Sequence, residues 1–317
     1  MPSSKAPVLL ISFNRPHLSG RVFERIRGYR PDRLYLAVDG PRDPSAHPRD
    51  ATATAACREL AAHVDWPCEV FTRFSQANQG CGRGVSNAIT WMFERENCGI
   101  ILEDDCVPEP TFFVYCAELL ERYQDHPEVM HVSGNNFAGK GTAEACAPYS
   151  YAFTRYADLW GWGTWARAWK HFRYEIPPPE EVPKSAFIME GVDRYRQCAQ
   201  RDRVLSTRQN SSMWGYQWQY AVLKQRGLCA APAVNQISNT GFGEEATHTT
   251  GAKDSPASNA PTMPLAFPLC HPPSIIVSPD LNRIYADNVL GSTARYRKRY
   301  LKRWIRTLLI PGYQPEK

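Results

Sequence analysis

Three consecutive carboxylates, Glu103-Asp104-Asp105, follow directly on the apolar run Gly99-Ile100-Ile101-Leu102. A buried strand ending in acids delivers them to the edge where open α/β sheets take their ligands. Adjacent like charges repel, so a site that keeps three together usually holds a cation. Oxygen donors from one short loop suit Mg²⁺ or Mn²⁺, which leave positions open for substrate phosphates. The alternative is a solvated acidic turn. The apolar strand before the acids, and the helix start Pro108-Glu109-Pro110 after them, favour a site.

The surrounding pattern supplies the elements that would position these acids. Pro7–Phe13, Arg33–Val38, Cys68–Phe71, Gly99–Leu102 and Val129–Val132 read as strands, the first and fourth as continuous apolar runs. Between them, Leu18–Ile26, Ala51–Val64, Val85–Phe93 and Thr111–Tyr123 carry helical spacing, and the loop Asn78–Gly84 precedes the third helix. Four strand–helix units with short connections predict an α/β fold with a mainly parallel central sheet and helices on both faces. Beyond residue 135 the alternation stops. Four of the nine tryptophans fall between 160 and 169, and four prolines mark 176–183 as loop. Val192–Leu205 and Trp214–Lys224 read as helices, and 252–273 as an extended strap or lid.

Composition excludes several classes of function. With 317 residues, 43% hydrophobic and 22% charged, the chain can bury a core and is not a disordered protein. The run Val8–Phe13 is far short of the roughly 20 residues of a membrane span and lacks a signal peptide's apolar region. A cytoplasmic location is therefore expected. The ten cysteines form no CxxC pair or zinc spacing and read as reduced, packed thiols. The net charge of +5 is concentrated in residues 295–306, which hold seven basic side chains and no acid. The rest is near neutral, so no general nucleic-acid footprint is present. Within 295–309, Tyr300, Trp304 and Leu308, and likewise Leu301, Ile305 and Leu309, recur every four residues. Such a helix has one apolar face bordered by cations. It fits either an anionic membrane surface or the body of the protein.

From Pro7 to about His271 the chain resembles the GT-A glycosyltransferases. Within them it is similar to the group holding the N-acetylglucosaminyltransferase that begins complex N-glycan branching and its bacterial haemolytic-protein-like relatives. The ordered motifs are PVLLISFNRP, LAVDGPRD, NQGCGRGVSNAI, IILEDDCVPEPTFF, LWGWGTWARAW, WGYQW and SNTGFGEEATHT. The resemblance implies inverting, metal-dependent transfer of a hexosyl or N-acetylhexosaminyl group from a nucleotide diphosphate, foremost UDP, to a glycan or lipid-linked glycan, as in polysaccharide biosynthesis. It implies a nucleotide-sugar half at 1–135, an acceptor and catalytic half at 136–275, and a C-terminal extension at 276–317.

By the same resemblance, Glu103-Asp104-Asp105 is the DXD-type motif, Asp105 ligating the metal and Asp104 lying near the ribose or sugar. Ser12, Phe13, Asn14, Arg15 and Asp39 would form the nucleoside pocket. Asn78, Gly80 and Arg83 would lie against the base or diphosphate. Trp160, Gly161, Trp162 and Gly163 would form the loop over the donor sugar, whereas Trp165 and Trp169 read as core. His248 would complete the metal site, and an imidazole ligand suits Mn²⁺ better than Mg²⁺.

One departure from the family pattern concerns the base that deprotonates the acceptor hydroxyl. Relatives carry an acid where Trp214-Gly215-Tyr216 places Gly215. Three accounts fit. Glu244 or Glu245 serves as base, the chain binds donor without transferring it, or the short aromatic segment corresponds to another part of the family. Two rival functions remain: a nucleotide-sugar-binding protein, and a Mg²⁺-dependent phosphohydrolase.

Overall fold

The computed structural model describes residues 5–136, 139, 141–209, 212–242 and 259–309, with side chains described to residue 302. The first half alternates strand and helix: β1 (Val8–Ser12), α1 (Pro16–Tyr29), β2 (Arg33–Val38), α2 (Asp50–Arg58), β3 (Glu69–Phe74), α3 (Gly80–Phe93) and β4 (Cys98–Glu103). A short β5 (Cys106–Pro108), α4 (Pro110–Arg122) and β6 (Val129–Ser133) follow. The second half holds α5 (Thr142–Cys146), β7 (Tyr151–Thr154), β8 (Trp162–Trp165), α6 (Ala166–Trp169), α7 (Arg194–Ser206), α8 (Gly215–Lys224), β9 (Leu228–Pro232) and β10 (Ile237–Asn239). It closes with α9 (Pro279–Tyr285) and α10 (Thr293–Leu309).

Eight strands form one sheet in the order β3-β2-β1-β4-β8-β6-β9-β7. The first four are mutually parallel, β8 is antiparallel to both its neighbours, and β6 and β9 are again parallel. The fold is thus α/β, with a mostly parallel central sheet flanked by helices. Every residue of β1 is buried, which is why it reads as unbroken Val-Leu-Leu-Ile: a strand covered on both faces has no polar side to alternate with. Helix α1 opens on Pro16 and buries Leu18, Val22 and Ile26 against the sheet, one apolar stripe at helical spacing. Helix α4 does the same from Pro110 with Phe112, Cys116, Leu119 and Leu120.

The antiparallel pair β5–β10 matters for the site. Its register sets Asn239 opposite Cys106, bringing residues 239–241 against the acidic turn after β4. The strap from 259 runs without regular structure and is tied back at several points. Met263 N donates to Asn235 O (2.9 Å), and Leu265 N to Thr111 Oγ1 (3.1 Å).

The sheet passes through the tryptophan-rich segment. Gly161, Trp162 and Gly163, expected as a loop over a ligand, instead lead into or form β8, in the middle of the sheet. Packing is the reason. A Cβ at Gly163 would lie 2.5 Å from Cys116 Sγ, and one at Gly161 would lie 2.4 Å from Ile237 Cδ1. The Trp162 side chain has no exposed surface. It stacks on His131 (centroids 4.9 Å apart) and on Trp214 (6.1 Å). Trp165 and Trp169 are buried as well.

Candidate nucleotide-sugar site

In a sheet ordered 3-2-1-4, the chain leaves β1 towards one side and returns to β4 on the other. The crevice beyond their carboxyl ends is the topological switch point where such sheets bind ligands. A cavity of about 1320 Å³ opens there. Ser12, Phe13 and Arg15 line it at the end of β1, Asp39 after β2, and Glu103, Asp104 and Asp105 at the end of β4.

Arg15 organises the acidic turn. Its Nε donates to Asp104 Oδ2 (3.2 Å), and its terminal nitrogen donates to Asp104 Oδ1 and to Asp105 Oδ2 (3.0 Å to the latter). Burial by itself would lower the Arg15 pKa, but Asp104 and Asp105 outweigh it and hold the guanidinium charged. Burial pushes the Glu103 carboxyl well above its ordinary pKa, reinforced by Asp105 and Asp104. It also raises Asp104, against the opposing pull of Arg15. The turn thus carries more acid than one arginine neutralises, a setting that favours a further cation.

Among the described residues, no three His, Cys, Asp or Glu side chains are arranged as a metal cage. The turn offers Asp105 to the cavity, and Asn239 Nδ2 donates to its Oδ1 at 3.4 Å. A single carboxylate fits an ion whose remaining ligands are substrate phosphates and water. Glu244, Glu245 and His248 lie outside the described residues.

At the β2 end, Asp39 accepts backbone N–H bonds from Gly40 (2.8 Å), Gln79 (2.9 Å) and Gly80 (3.1 Å), and one from Asn78 Nδ2 (3.1 Å). It therefore anchors the N-terminus of α3, although burial leaves its pKa raised. Asn14 turns to Asp50 (2.8 Å), which is also held by Arg42, whose guanidinium covers the Phe13 ring at 5.3 Å. Asn78 and Gly80 line the cavity. Arg83 does not: it is exposed, pairs with Glu175 (3.1 Å) and lies over the Tyr174 ring.

Further along the cavity stand Trp160, Trp214 and Gly215. The half-buried Trp160 meets Phe242 edge-on at 5.7 Å, and Asn135 Oδ1 fixes its backbone N–H (3.2 Å). Gly215 is the first residue of α8, and a Cβ there would lie 2.5 Å from Leu159 Cδ1. The far end is lined by Tyr156, Asp158, Gln200, Arg203, Gln219 and Asn288.

Two features of this wall carry no signature in the sequence. Asp158 is a buried carboxylate beside the segment that packs on Gly215. Ser12 Oγ, Asn135 Nδ2 and Tyr156 Oη are buried along the wall without a hydrogen-bond partner among the described residues. Orphaned polar atoms are uncommon in folded proteins. Asp158 sits in Tyr-Ala-Asp-Leu, where no spacing marks it, and only the tertiary wall gives it a place.

No protein-family model matches the chain, and no curated protein matches it. Among solved structures, the UTP-bound UGPase from Acinetobacter baumannii is similar with a TM-score of 0.34 and 8% sequence identity, over 72% of this chain and 85% of that one. Among the described residues, no helix is long and apolar enough to cross a membrane.

Proposed function

We propose that the chain is an inverting GT-A-type glycosyltransferase that moves a sugar from a nucleotide diphosphate, foremost UDP, to a glycan acceptor in the cytoplasm. The observation that carries this reading is the cavity at the switch point, floored by Asp104 and Asp105 under Arg15 and continuing past Trp160 to a polar far end. The ordered sequence motifs support the same reading.

In the proposed reaction an acceptor hydroxyl attacks C1 of the donor sugar. The bond from C1 to the diphosphate oxygen breaks, and the hydroxyl proton passes to a carboxylate. Bound Mn²⁺ or Mg²⁺ would neutralise the departing diphosphate, with Asp105, and His248 from outside the described residues, as its protein ligands. Arg15 holds Asp104 and Asp105 in place before substrate arrives, and the Trp160 indole offers an apolar face to sugar C–H groups. Gly215 takes no proton, so we assign proton acceptance to Asp158, the one described cavity-lining carboxylate outside Asp39 and the acidic turn. Glu244 and Glu245 are its competitors. Asp158→Asn should cut turnover by about two to four orders of magnitude with donor affinity unchanged. If Glu244→Gln or Glu245→Gln does this instead, the assignment moves to that residue.

The reading is tested by titrating UDP, GDP, dTDP and ADP calorimetrically with and without Mn²⁺. One diphosphate should bind in a metal-dependent way, and Asp105→Asn should abolish the metal's effect. Binding of none of the four would overturn the reading. A second reading, donor binding without transfer, is favoured by Leu159 filling the space beside Gly215. It predicts the same titration with no turnover. Gly215→Asp combined with Leu159→Ala, which makes room for the acid, would then create activity.

A further inference from the structure

The far end of the cavity and the basic C-terminal helix are built on the same elements. Helix α7 lines the cavity with Gln200 and Arg203. One step round the helix it presents Tyr195 and Asp202 to α10, where the Tyr300 hydroxyl donates to Asp202 Oδ2 (2.7 Å) and the Tyr195 and Tyr300 rings stack at 6.5 Å. Asn288 and Val289 also line the cavity, and Arg203 donates to the Val289 carbonyl (3.2 Å). Four residues beyond Val289, α10 begins at Thr293, whose hydroxyl donates to Asp193 Oδ2 (2.8 Å). Asp193 in turn caps α7 by accepting from the Tyr195 and Arg196 amides.

Helix α10 therefore docks through its tyrosines, and Tyr296 is buried. What it leaves outside is strongly cationic. Arg295, Arg297, Lys298, Arg299 and Lys302 are all exposed, and no acid occurs in the sequence from Thr293 to Leu309. Among them Leu301 is 51% exposed, and Val289, which lines the cavity, is 38% exposed. A solvated helix face normally mixes charge signs. A face of one sign with apolar side chains set into it complements a surface that is anionic and apolar beneath. Nucleic acid would match the charge but leave Leu301 and Val289 without a role.

We propose that α10 seats the protein on an anionic phospholipid bilayer and brings the far mouth of the cavity, at Val289 and Arg203, to the lipid surface. The membrane contact stands independently of the transferase reading. Its consequence, that the acceptor is a glycan carried on a membrane lipid, rests on that reading.

The full-length chain is sedimented with vesicles of phosphatidylcholine alone and with vesicles in which about a third is phosphatidylglycerol. It should bind only the anionic vesicles, and the binding should weaken as salt screens the contact. The combined variant Arg297→Glu, Lys298→Glu, Lys302→Glu should lose roughly a hundredfold or more in vesicle affinity. Its circular dichroism and UDP affinity should be unchanged, which separates lost docking from lost folding. Failure to bind anionic vesicles, equal binding to both vesicle types, or full binding by the triple variant would overturn the proposal. So would capture of a single-stranded RNA oligonucleotide in preference to vesicles. Vesicle binding without UDP binding would leave the membrane face standing and remove the transferase reading, and the converse result would do the opposite.

Discussion

A methyl group at Gly241 would stand 2.0 Å from Asp105 Oδ2, so only glycine lets the strand-to-loop segment after β10 lie against that carboxylate. Gly241 N also donates to Asn239 Oδ1 (2.8 Å), which ties the same segment to the residue that hydrogen-bonds Asp105. Gly241→Ala should therefore displace Asp105 while leaving the distant core intact. On the proposed function, metal-dependent nucleotide affinity should fall about as far as in Asp105→Asn, with thermal stability changed by only a few degrees. Calorimetry and a melting curve on the same protein check both halves. The three acids are legible in the sequence because the apolar strand Gly99–Leu102 ends on them and fixes the sheet edge they occupy. The demand on Gly241 is not, since it is set by a side chain far away in sequence. Gly215 lies between these cases: its departure from the pattern of the glycosyltransferases the sequence resembles is visible, but Leu159 as the group beside it emerges only in the fold.

At the scale of elements, β1, β2 and β4 are legible because each is a run of apolar residues buried between neighbours. Strands β7, β9 and β10 have three to five residues each and exist because the sheet edge or β5 pairs with them. Nothing local marks them. Strand β8 shows the opposite problem. Its glycines and tryptophans suggest a ligand loop, but the glycines make room for Cys116 and Ile237, and Trp162 fills the space between His131 and Trp214. Trp162→Ala should cost about 3–5 kcal/mol, the range for emptying a fully buried aromatic site, measurable by urea denaturation. A cost below about 1 kcal/mol would contradict this placement. The same logic separates the two faces of α10, whose half-buried Tyr300 packs on α7 while its cations stay outside.

For the whole molecule, acid acts on the fold in both directions, and His131 supplies a destabilising part that begins near neutrality. Its ring is completely buried, Nε2 faces the Asp158 carbonyl (2.8 Å), and Nδ1 accepts from Trp218 Nε1 (3.2 Å). That pairing assigns the neutral tautomer with the proton on Nε2, because a proton on Nδ1 would confront the indole N–H. Burial accordingly pushes the His131 pKa down to about 3. In the unfolded chain the ring takes up its proton near pH ~6.5. Between those values the unfolded state binds one proton more than the folded state, so stability rises with pH and falls on acidification, by about 1.4 kcal/mol per pH unit. His171 and His271, whose pKa values burial also lowers, act in the same direction. Asp50 acts at lower pH: its bonds from Arg42 hold its pKa far below the usual range, and that stability is lost as pH drops past the unfolded value near ~3.9. The His131 contribution is a plateau above pH ~6.5 and a decline below it, opposed by Glu103, Asp104 and Asp39, whose raised pKa values make the folded state the better proton binder on acidification. His131→Gln should lower stability at neutral pH and remove about one proton's worth of acid sensitivity between pH ~6 and ~4.5 relative to the parent chain, in which the carboxylates are unchanged. Urea denaturation across that range decides it. An unchanged slope in the variant would mean that His131 is charged in the folded protein, and the buried tautomer would have to be abandoned.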